Sequence, residues 1–332
     1  MLWFFACQSK SVDTAVVQDT SVEQETGTDD TDTEVPIEVD ADGDGYPLWS
    51  STMDIERADC DDTNPAVTPH TERYIPAGEF LRGENNTPWS SPQRSIELSD
   101  YCIDVYETTN QQFSDFMNDM IELGFDNVTE DGLELYDIDD DDDIFPERIL
   151  MTQAGFGVME GYEAHPVNEV FIWSGDAYCE YKSKTLPTEA QWEKAARGDD
   201  GRQFPWGNLE PDCNLTNFGF IGEQCIGDTV PVGSYPDGVS PYGIHDMAGN
   251  IAEWVSDWFG MDYYAQSSTL DPIGPEMGWF DDGQGNSFEA RVVRSGNHAT
   301  GLGDIQTHYR QPEPLGASSN GIGFRCARSL VD

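Results

Sequence analysis

The feature that most constrains the fold is a long stretch of chain with little regular periodicity. From Tyr74 onward the sequence is rich in glycine and aromatic residues, and few segments repeat apolar residues at the spacing of a strand or a helix. A domain with so few regular elements needs other sources of order. We therefore expect many loops and short strands, held by disulfides, bound ions and buried tryptophan side chains.

Two segments are exceptions and predict short helices. The first is DAYCEYKS, residues 176–183, and the second is TEAQWEKAAR, residues 188–197. In the second segment Thr188 has the N-cap position and Gln191 follows three residues later, which is the pattern of a capping box. Gly198 then provides the end of that helix.

The charge of the chain limits its partners. There are 64 Asp and Glu residues against 16 Lys and Arg, so the formal net charge is -48. Such a protein repels the phosphate groups of nucleic acids and of anionic lipids. We expect no nucleic-acid partner, and we expect cations to bind.

The N-terminus, MLWFFACQSK, is apolar but too short to span a membrane or to form a complete signal peptide. It resembles the end of a bacterial lipoprotein signal, residues 1–7, with Cys7 as the lipidated residue. Residues 8–38 are acidic and contain no aromatic side chain, which predicts a disordered linker. We therefore expect a lipid-anchored protein of the bacterial cell envelope, in the outer membrane or periplasm, or an extracellular one. Its only contact with a membrane would be the anchor. The alternative is a disordered terminus with a chance cysteine.

Residues 39–71 form an acidic segment that begins DADGDG. Its alternating carboxylates resemble the first half of an EF-hand loop, but Ser51 stands where that loop needs a glutamate. Together with DCDDTNP further on, the pattern resembles the calcium-binding repeats of the thrombospondin type 3 and MopE kind. The alternative is an acidic, disordered linker. The candidate calcium ligands are Asp40, Asp42, Asp44, Asp59 and Asp61.

Several longer motifs follow one another in a recognisable order. They are YIPAGEFLRG at 74–83, IDVYETTNQQF at 103–113, HPVNEVFIWSGDAYCEYKSKTLPTEAQWEKAARG at 165–198 and PVGSYPDGVSPYGIHDMAGNIAEWVSDWF at 231–259, then VVRSGN and GIGFRCAR. In this order they resemble the sulfatase-modifying-factor family, the formylglycine-generating enzymes and their relatives, over residues 72–330. The resemblance implies an α+β fold, the formylglycine-generating-enzyme variant of the C-type-lectin-like fold. That fold is rich in loops, has little regular secondary structure and is built around bound calcium.

A calcium site is expected within HDMAGNIAEW. Two side-chain carboxylates and two backbone carbonyls at alternating positions can surround one Ca²⁺, and the family resemblance points to the same positions. The alternative is a short strand whose tryptophans belong to the core. A second family site is implied before PVGSYP, with Asn214 and Leu215 as candidates. The ligands of the first site would be Asp246, Gly249, Ile251 and Glu253.

The cysteines are too widely spaced for a compact zinc site of the CxxC type and fit disulfides of an exported protein better. The family resemblance implies that Cys179 pairs with Cys326, which in the chain-entropy model stabilises the fold by about 4 kcal/mol. Cys213 and Cys225 are close enough in sequence to form a local bridge. The pair Cys60 and Cys102 is left either free or bonded to each other.

The segment RSGNHATGLGDIQTHYR, residues 294–310, lies where the family has its active-site loop. By resemblance, the oxidases of the family bind copper through two cysteine thiolates in this loop, and soft thiolates suit Cu(I). The corresponding positions here are near Thr300 and Ile305, and neither is a cysteine. We therefore expect no copper and assign no catalytic residue. The polar residues that could line a ligand cleft instead are Asn297, His298, His308 and Arg310.

Three functional hypotheses follow. The first is a surface-tethered, calcium-stabilised lipoprotein whose cleft binds a peptide, a glycan or a partner protein. The second is an active oxidase of sulfatase cysteines, or another metal-dependent oxidase, with His298 and His308 as metal ligands. The third is a structural envelope protein without an open cleft near His298. Whether the two histidines bind a metal or are simply polar loop residues separates the second hypothesis from the others.

Overall fold

A computed structural model describes residues 40–44, 46–48, 58–61, 63–138, 147–219, 224–281, 283–285 and 287–330. All of them belong to one compact unit, Glu38–Asp332. The expected signal remnant with Cys7 and the expected linker, residues 8–38, lie outside the described residues. None of the helices found in the described ranges is both long and apolar enough to cross a bilayer.

The described residues contain four helices and twelve short strands, which confirms the expected α+β class with many loops. The helices are α1 (Asn110–Glu122), α2 (Ile172–Tyr181), α3 (Glu189–Arg197) and α4 (Tyr263–Gln266). The strands are β1 (Glu72–Ile75), β2 (Gly78–Arg82), β3 (Arg94–Leu98), β4 (Tyr101–Asp104), β5 (Ile149–Thr152), β6 (Gly155–Val158), β7 (Ala252–Trp258), β8 (Trp279–Asp281), β9 (Ser287–Arg294), β10 (Gln311–Pro314), β11 (Ile322–Phe324) and β12 (Ala327–Ser329).

Two sheets organise the unit. The larger has the strand order β10-β9-β7-β11, and β8 also pairs with β9. In it β11 runs parallel to β7, whereas the other pairs are antiparallel. The smaller sheet, β1-β4-β12, is antiparallel, and β2-β3 and β5-β6 form separate two-stranded pairs. Because β11 and β12 belong to different sheets, the C-terminal segment links the two.

The observed helix boundaries can be compared with those that the capping signals in the sequence predict. Helix α3 forms as predicted, with Thr188 and Gln191 making the capping box and Gly198 ending the helix at a positive φ of 67°. Helix α2 begins at Ile172, before the predicted start. Its N-cap residue, Phe171, makes no side-chain capping hydrogen bond, so the sequence carries no capping signal at this position. Helix α1 was missed although Thr109 makes a second capping box at its start.

Two apolar clusters form most of the core. One packs α1 and α2 against the larger sheet and includes Phe113, Tyr178 and Trp254. The other packs α3 against β2, β3 and β9 and includes Trp192 and Val292. Tryptophan side chains thus lie in both clusters, as the scarcity of regular elements led us to expect.

Three disulfides staple the described residues, two between distant segments and one within a single loop. Cys179 on α2 bonds to Cys326 between β11 and β12, as the family resemblance implies. Cys213 bonds to Cys225, closing the local bridge. Cys60 bonds to Cys102 on β4, which resolves the open alternative and attaches the acidic segment to the smaller sheet.

Candidate functional site

The loop at residues 294–310 begins with a tight turn at the end of β9. Ser295 and Gly296 have positive φ angles of 81° and 63°. A Cβ atom on Gly296 would lie 2.7 Å from the Thr300 hydroxyl oxygen, so the turn folds closely onto the following residues. The backbone N–H of Asn297 donates to that hydroxyl oxygen at 2.8 Å. The loop is therefore a closed, internally bonded turn.

The two positions that correspond to the copper ligands carry no soft donor. The Thr300 hydroxyl donates to the Asn297 carbonyl at 3.0 Å. Ile305 is fully buried in a small apolar cluster with Phe204 and Ala248. All six cysteines of the described ranges are in disulfides, so these ranges hold no thiolate either. This donor set does not fit Cu(I), which prefers thiolate or thioether ligands.

The two histidines of the loop are buried in different surroundings. The backbone N–H of His298 donates to the Asn250 carbonyl at 3.0 Å, and the His298 ring Nδ1 lies 3.3 Å from the same oxygen. The Nδ1 of His308 has no hydrogen-bond partner, and burial lowers the pKa of His308 to about 4. Within the part of the chain that the structure describes, neither histidine joins a cluster of three metal-ligating side chains. The geometry gives the histidine-metal hypothesis no support.

The prediction that Arg310 lines a ligand cleft is wrong, because the Arg310 side chain is fully buried. Its guanidinium Nε lies 2.7 Å from one Glu189 carboxylate oxygen, and its Nη2 lies 2.8 Å from the other. Its Nη1 donates to the Trp89 and Gly260 carbonyls. The sequence could not reveal this role, since Glu189 lies 121 positions earlier in the chain.

Arg310 belongs to a buried ion-pair group that we call the arginine network. Its members are Arg82, Glu189, Glu193, Arg197, Arg294, Arg310 and Tyr264. Burial alone would raise the pKa of Glu193, but Arg294 and Arg197 outweigh that effect and lower it to about 2. The nearby Asp257 has the opposite shift, since burial and the charge of Glu189 raise its pKa to about 7. The network anchors α3 to β2 and β9.

The acidic segment brings its carboxylates together. We call Asp40, Asp42, Asp44 and Asp59 the acidic cluster. One carboxylate oxygen from each of the first three lies within 4.8 Å of the others. The backbone N–H of Asp59 donates to the Pro47 carbonyl at 3.1 Å, and this buried residue lies near enough to Asp44 and Asp42 to feel their charges. Burial, with added repulsion from Asp44 and Asp42, raises the pKa of Asp59 to about 6. The Oδ2 atoms of Asp44 and Asp59 are buried without a hydrogen-bond partner. Such a set of oxygens fits Ca²⁺.

Asp61, the fifth candidate ligand of this segment, points elsewhere. Its Oδ2 lies 2.9 Å from the guanidinium Nη1 of Arg328. Its Oδ1 accepts a hydrogen bond from the Thr63 hydroxyl at 2.6 Å. In the described geometry Asp61 therefore attaches the segment to β12 and adds no oxygen to the acidic cluster.

The expected calcium site in HDMAGNIAEW is only partly available. Both oxygens of the Glu253 carboxylate accept hydrogen bonds from the Arg325 guanidinium, at 2.7 and 2.8 Å. The Gly249 carbonyl accepts a hydrogen bond from the Ser295 hydroxyl at 3.2 Å. The buried Asp246 accepts the Gly233 N–H at 2.6 Å. An ion pair with Arg325 thus competes with any cation for Glu253, whereas no salt bridge of the described residues involves Asp246.

Sequence reasoning missed a partner of Asp246. Glu107 is buried close enough to Asp246 for the charges of the two carboxyl groups to interact. Burial and the charge of Asp246 raise the pKa of Glu107 well above its ordinary value, and burial raises the pKa of Asp246 to about 6. We call these two residues the carboxyl pair. Two buried carboxyl groups whose charges interact require a shared proton or a cation.

Asn214 and Leu215 are the candidates for the second predicted family site. Asn214 is exposed and its N–H donates to Asp212, while Leu215 is partly buried. Asn217 is instead fully buried, and its Oδ1 has no hydrogen-bond partner. Its Nδ2 donates to the Asp228 carbonyl at 2.7 Å. A buried, unused amide oxygen makes Asn217 the better-placed candidate ligand in this segment.

A cavity of about 420 Å³ lies between the acidic segment and the rest of the unit. One wall comes from residues 64–72, and the other comes from residues 104–112, the end of α2 and Arg328. Lys184 lines the cavity and forms an ion pair with Glu72 at 2.7 Å. None of the residues from Arg294 to Arg310 lines this cavity. A cleft therefore exists, but at a different place from the one that the sequence predicted.

Comparison with known proteins identifies the family. The family model of the sulfatase-modifying factor enzyme 1-like domain matches residues 59–330 of this chain. The fold and the ordered motifs agree with this match, so the chain belongs to the family of sulfatase-modifying factor enzyme 1-like proteins. The matched range begins inside the acidic segment and includes all three disulfides.

Individual relatives give a finer view. The chain is 32% identical over 307 residues to the formylglycine-generating enzyme of Streptomyces coelicolor, a match that covers 80% of this chain and 92% of the relative. It is 30% identical over 332 residues to the serine/threonine-protein kinase Pkn1 of Chlamydia trachomatis serovar L2, covering 98% of this chain. The chain spans about half the length of that chlamydial relative, 48%.

A solved structure supports the fold. Treponema denticola variable protein 1 superposes with a TM-score of 0.57 at 22% identity, over 77% of this chain and 94% of that chain. At this identity the likeness concerns the fold alone.

Proposed function

We propose that this chain is a calcium-stabilised binding module that keeps the formylglycine-generating-enzyme fold but does not oxidise sulfatase cysteines. The observation that carries the proposal is the chemistry at the two ligand positions, a hydroxyl at Thr300 and a fully buried aliphatic side chain at Ile305. Oxygen activation by Cu(I) needs soft ligands, and the loop supplies none. The residues do not fit copper, so we derive no redox step.

The binding role is supported by the cavity beside the acidic segment. Its lining mixes an aromatic ring at Tyr106, the hydroxyls of Thr71 and Thr109, and the ammonium group of Lys182. Such a mixture of apolar surface and a few polar groups suits a peptide, a glycan or a segment of a partner protein. One wall of this cavity belongs to the segment that carries the acidic cluster. Calcium binding there would order part of the cavity.

Calcium in this proposal has a structural role. The acidic cluster would bind one ion through side-chain oxygens, and the unpartnered Oδ2 atoms of Asp44 and Asp59 are the groups that need it most. The carboxyl pair of Glu107 and Asp246 is the second candidate position, and Asn217 is a candidate for a third. A cation in each place would remove the repulsion or the unmet hydrogen-bonding capacity of buried groups.

The cellular setting in this proposal is the bacterial envelope. Support comes from the composition of residues 1–38 and from the three disulfides, which persist in oxidising compartments. A lipid on Cys7 would then hold the module at a membrane surface. Metabolic labelling with a palmitate analogue tests this directly, because Cys7→Ser would abolish the label if the proposal is right.

The catalytic part of the proposal is tested with a sulfatase-type cysteine peptide. We expect no oxygen uptake and no mass change of the peptide in the presence of Cu(I), with the Streptomyces coelicolor enzyme as the positive control. The double variant Thr300→Cys/Ile305→Cys is a useful comparison, since it restores a thiolate pair at these positions. Gain of copper binding by the variant alone would support the assignment of the two positions, whereas peptide oxidation by the unaltered protein would refute the proposed function.

A further inference from the structure

An apolar surface is formed by residues outside both the loop at 294–310 and the acidic segment. Met277 is 81% exposed and Trp279 is 54% exposed. Both line a cavity of about 270 Å³ whose other apolar lining includes Phe259, Tyr263 and Pro275. We call these five residues the apolar patch. Single exposed apolar side chains are common, but a methionine and a tryptophan beside a concave aromatic floor mark an interaction surface.

The floor of the patch is fixed before any partner arrives. The Phe259 N–H donates to the Ala290 carbonyl at 2.8 Å, and the Phe259 carbonyl accepts the Trp279 N–H at 3.2 Å. The Tyr263 hydroxyl accepts the Gly274 N–H at 2.9 Å. Behind the patch, the Arg310 guanidinium lies 4.7 Å from the centre of the Phe259 ring. A partner would therefore meet a preorganised receptor, which lowers the entropic cost of binding.

Exposed acidic side chains border the patch, whereas the guanidinium groups of Arg82 and Arg310, which face the Tyr263 and Phe259 rings, are fully buried and paired with Glu189. The sequence contains no Lys or Arg from residue 203 to residue 290, a range that includes the whole patch. Asp262 lines the cavity, and Glu276 directly precedes Met277. Electrostatic complementarity therefore selects a cationic partner and disfavours an acidic one.

We propose that the apolar patch binds a segment of another protein in which an apolar anchor side chain is flanked by Lys or Arg. The anchor would enter the cavity between Met277 and Trp279, and a flanking cation would lie over the exposed Trp279 ring or beside Asp262. Methionine and tryptophan are well suited to this use, because methionine adapts its shape and tryptophan contributes strongly to interface affinity. The patch shares no residue with the cavity beside the acidic segment, so this inference goes beyond the proposed function and names the class of partner for a second surface.

The test uses a fluorescein-labelled peptide, GKKLWKKLKKG, and fluorescence anisotropy with the full chain at about 0.15 M salt, where the Debye length is about 8 Å. Two matched peptides replace every lysine with glutamine or every leucine and tryptophan with serine. The patch variant is Met277→Ser/Trp279→Ser. Its matched control is Leu209→Ser, because Leu209 is 73% exposed and lies in the same stretch without basic residues.

We expect the patch variant to weaken binding of the lysine peptide by at least about tenfold, while Leu209→Ser leaves the affinity unchanged. Both matched peptides should bind more weakly than the lysine peptide. Equal affinity of the patch variant and the unaltered protein would overturn the proposal, since binding would then reflect overall charge. A dimer that dissociates only in the patch variant would also overturn it, by assigning the patch to a second copy. Either result would leave the oxidase test untouched, so failure of this inference and failure of the proposed function remain distinguishable.

Discussion

The arginine network and the acidic cluster bury carboxylates in opposite ways. In the network each carboxylate faces guanidinium groups, and the pKa of Glu193 is lowered to about 2. In the acidic cluster carboxylates face one another, and the pKa of Asp59 is raised to about 6. The first region carries its counter-charges within the chain, whereas in the second we propose that a cation from the solvent supplies them. We therefore expect the stability of the arginine network to be independent of added cations and that of the acidic cluster to depend on them.

The contrast follows from how few basic residues there are. The chain has 16 Lys and Arg residues; among the described ones, five arginines are fully buried, and four of those belong to the network. The fifth, Arg325, is paired with Glu253. A chain of net charge -48 that uses its arginines in the core leaves other buried carboxyl groups, such as the carboxyl pair, to be neutralised in another way.

The largest expected effect is the loss of a network carboxylate. Glu189→Gln removes the negative charge shared by Arg82, Arg294 and Arg310 and leaves three buried guanidinium groups with fewer partners. We expect the free energy of unfolding in urea to fall by about 3–5 kcal/mol. The control is Asp200→Asn, which breaks the partly exposed pair with Arg202 and should cost less than about 1 kcal/mol. Similar costs for both variants would remove the distinction between the network and an ordinary surface pair.

Removal of calcium should have the next largest effect. An ion that binds only the folded state at a hundred times its dissociation constant contributes about 2.7 kcal/mol. For a protein of this size we expect EDTA to lower Tm by roughly 5 °C, measured by differential scanning fluorimetry against added calcium. An unchanged Tm would mean that the acidic cluster is neutral or solvated without a cation, and the comparison between the two regions would fail.

A single substitution should change sign with calcium. Asp59→Asn removes a calcium ligand, so Tm should fall in calcium; in EDTA it removes repulsion from Asp44 and Asp42, so Tm should stay the same or rise. Asp61→Asn is the matched control, because loss of its ion pair with Arg328 should lower Tm by a similar amount in both conditions. An equal loss for Asp59→Asn with and without calcium would show that Asp59 does not bind the ion.

The two regions should also respond to pH in opposite directions when calcium is absent. Glu193 has its pKa lowered from 4.5 to about 2, so its contribution is present above pH 4.5 and is lost as the pH falls toward 2. Asp59 has its pKa raised from 3.8 to about 6, so its contribution is present below pH 3.8 and is lost as the pH rises through 6. Hydrogen exchange in EDTA, corrected for intrinsic rates, should show residues 58–61 better protected at pH 5 than at pH 7. Parallel behaviour of α3 and residues 58–61 would contradict this.

Local signals in the sequence predicted local structure. The capping box at Thr188 and the glycine after it correctly located α3, and the same signal at Thr109 was available for α1 but was read only as part of a family motif. The ordered motifs correctly indicated the fold and the Cys179–Cys326 disulfide. These succeed because a cap depends on neighbouring residues and because the motif order reflects a shared fold.

The site could not be predicted to the same extent, because its contacts join residues far apart in sequence. Arg310 looked like a cleft residue in a glycine-rich loop, yet its partner Glu189 lies on α3. Glu107 gave no sign of its interaction with Asp246, and Asp61 gave none of its ion pair with Arg328. The spacing of the carboxylates identified which of them could bind a cation. It did not identify those that form an ion pair with an arginine instead.

The most direct test of the central claim is metal analysis of the full chain combined with oxygen uptake. The protein would be incubated with equal concentrations of calcium and Cu(I), dialysed, and analysed by inductively coupled plasma mass spectrometry, then mixed with a sulfatase-type cysteine peptide in an oxygen electrode. We expect bound calcium, no retained copper and no oxygen uptake, because the loop at 294–310 contains no cysteine and the acidic cluster brings several carboxylate oxygens together. Stoichiometric copper with oxygen uptake would contradict the account.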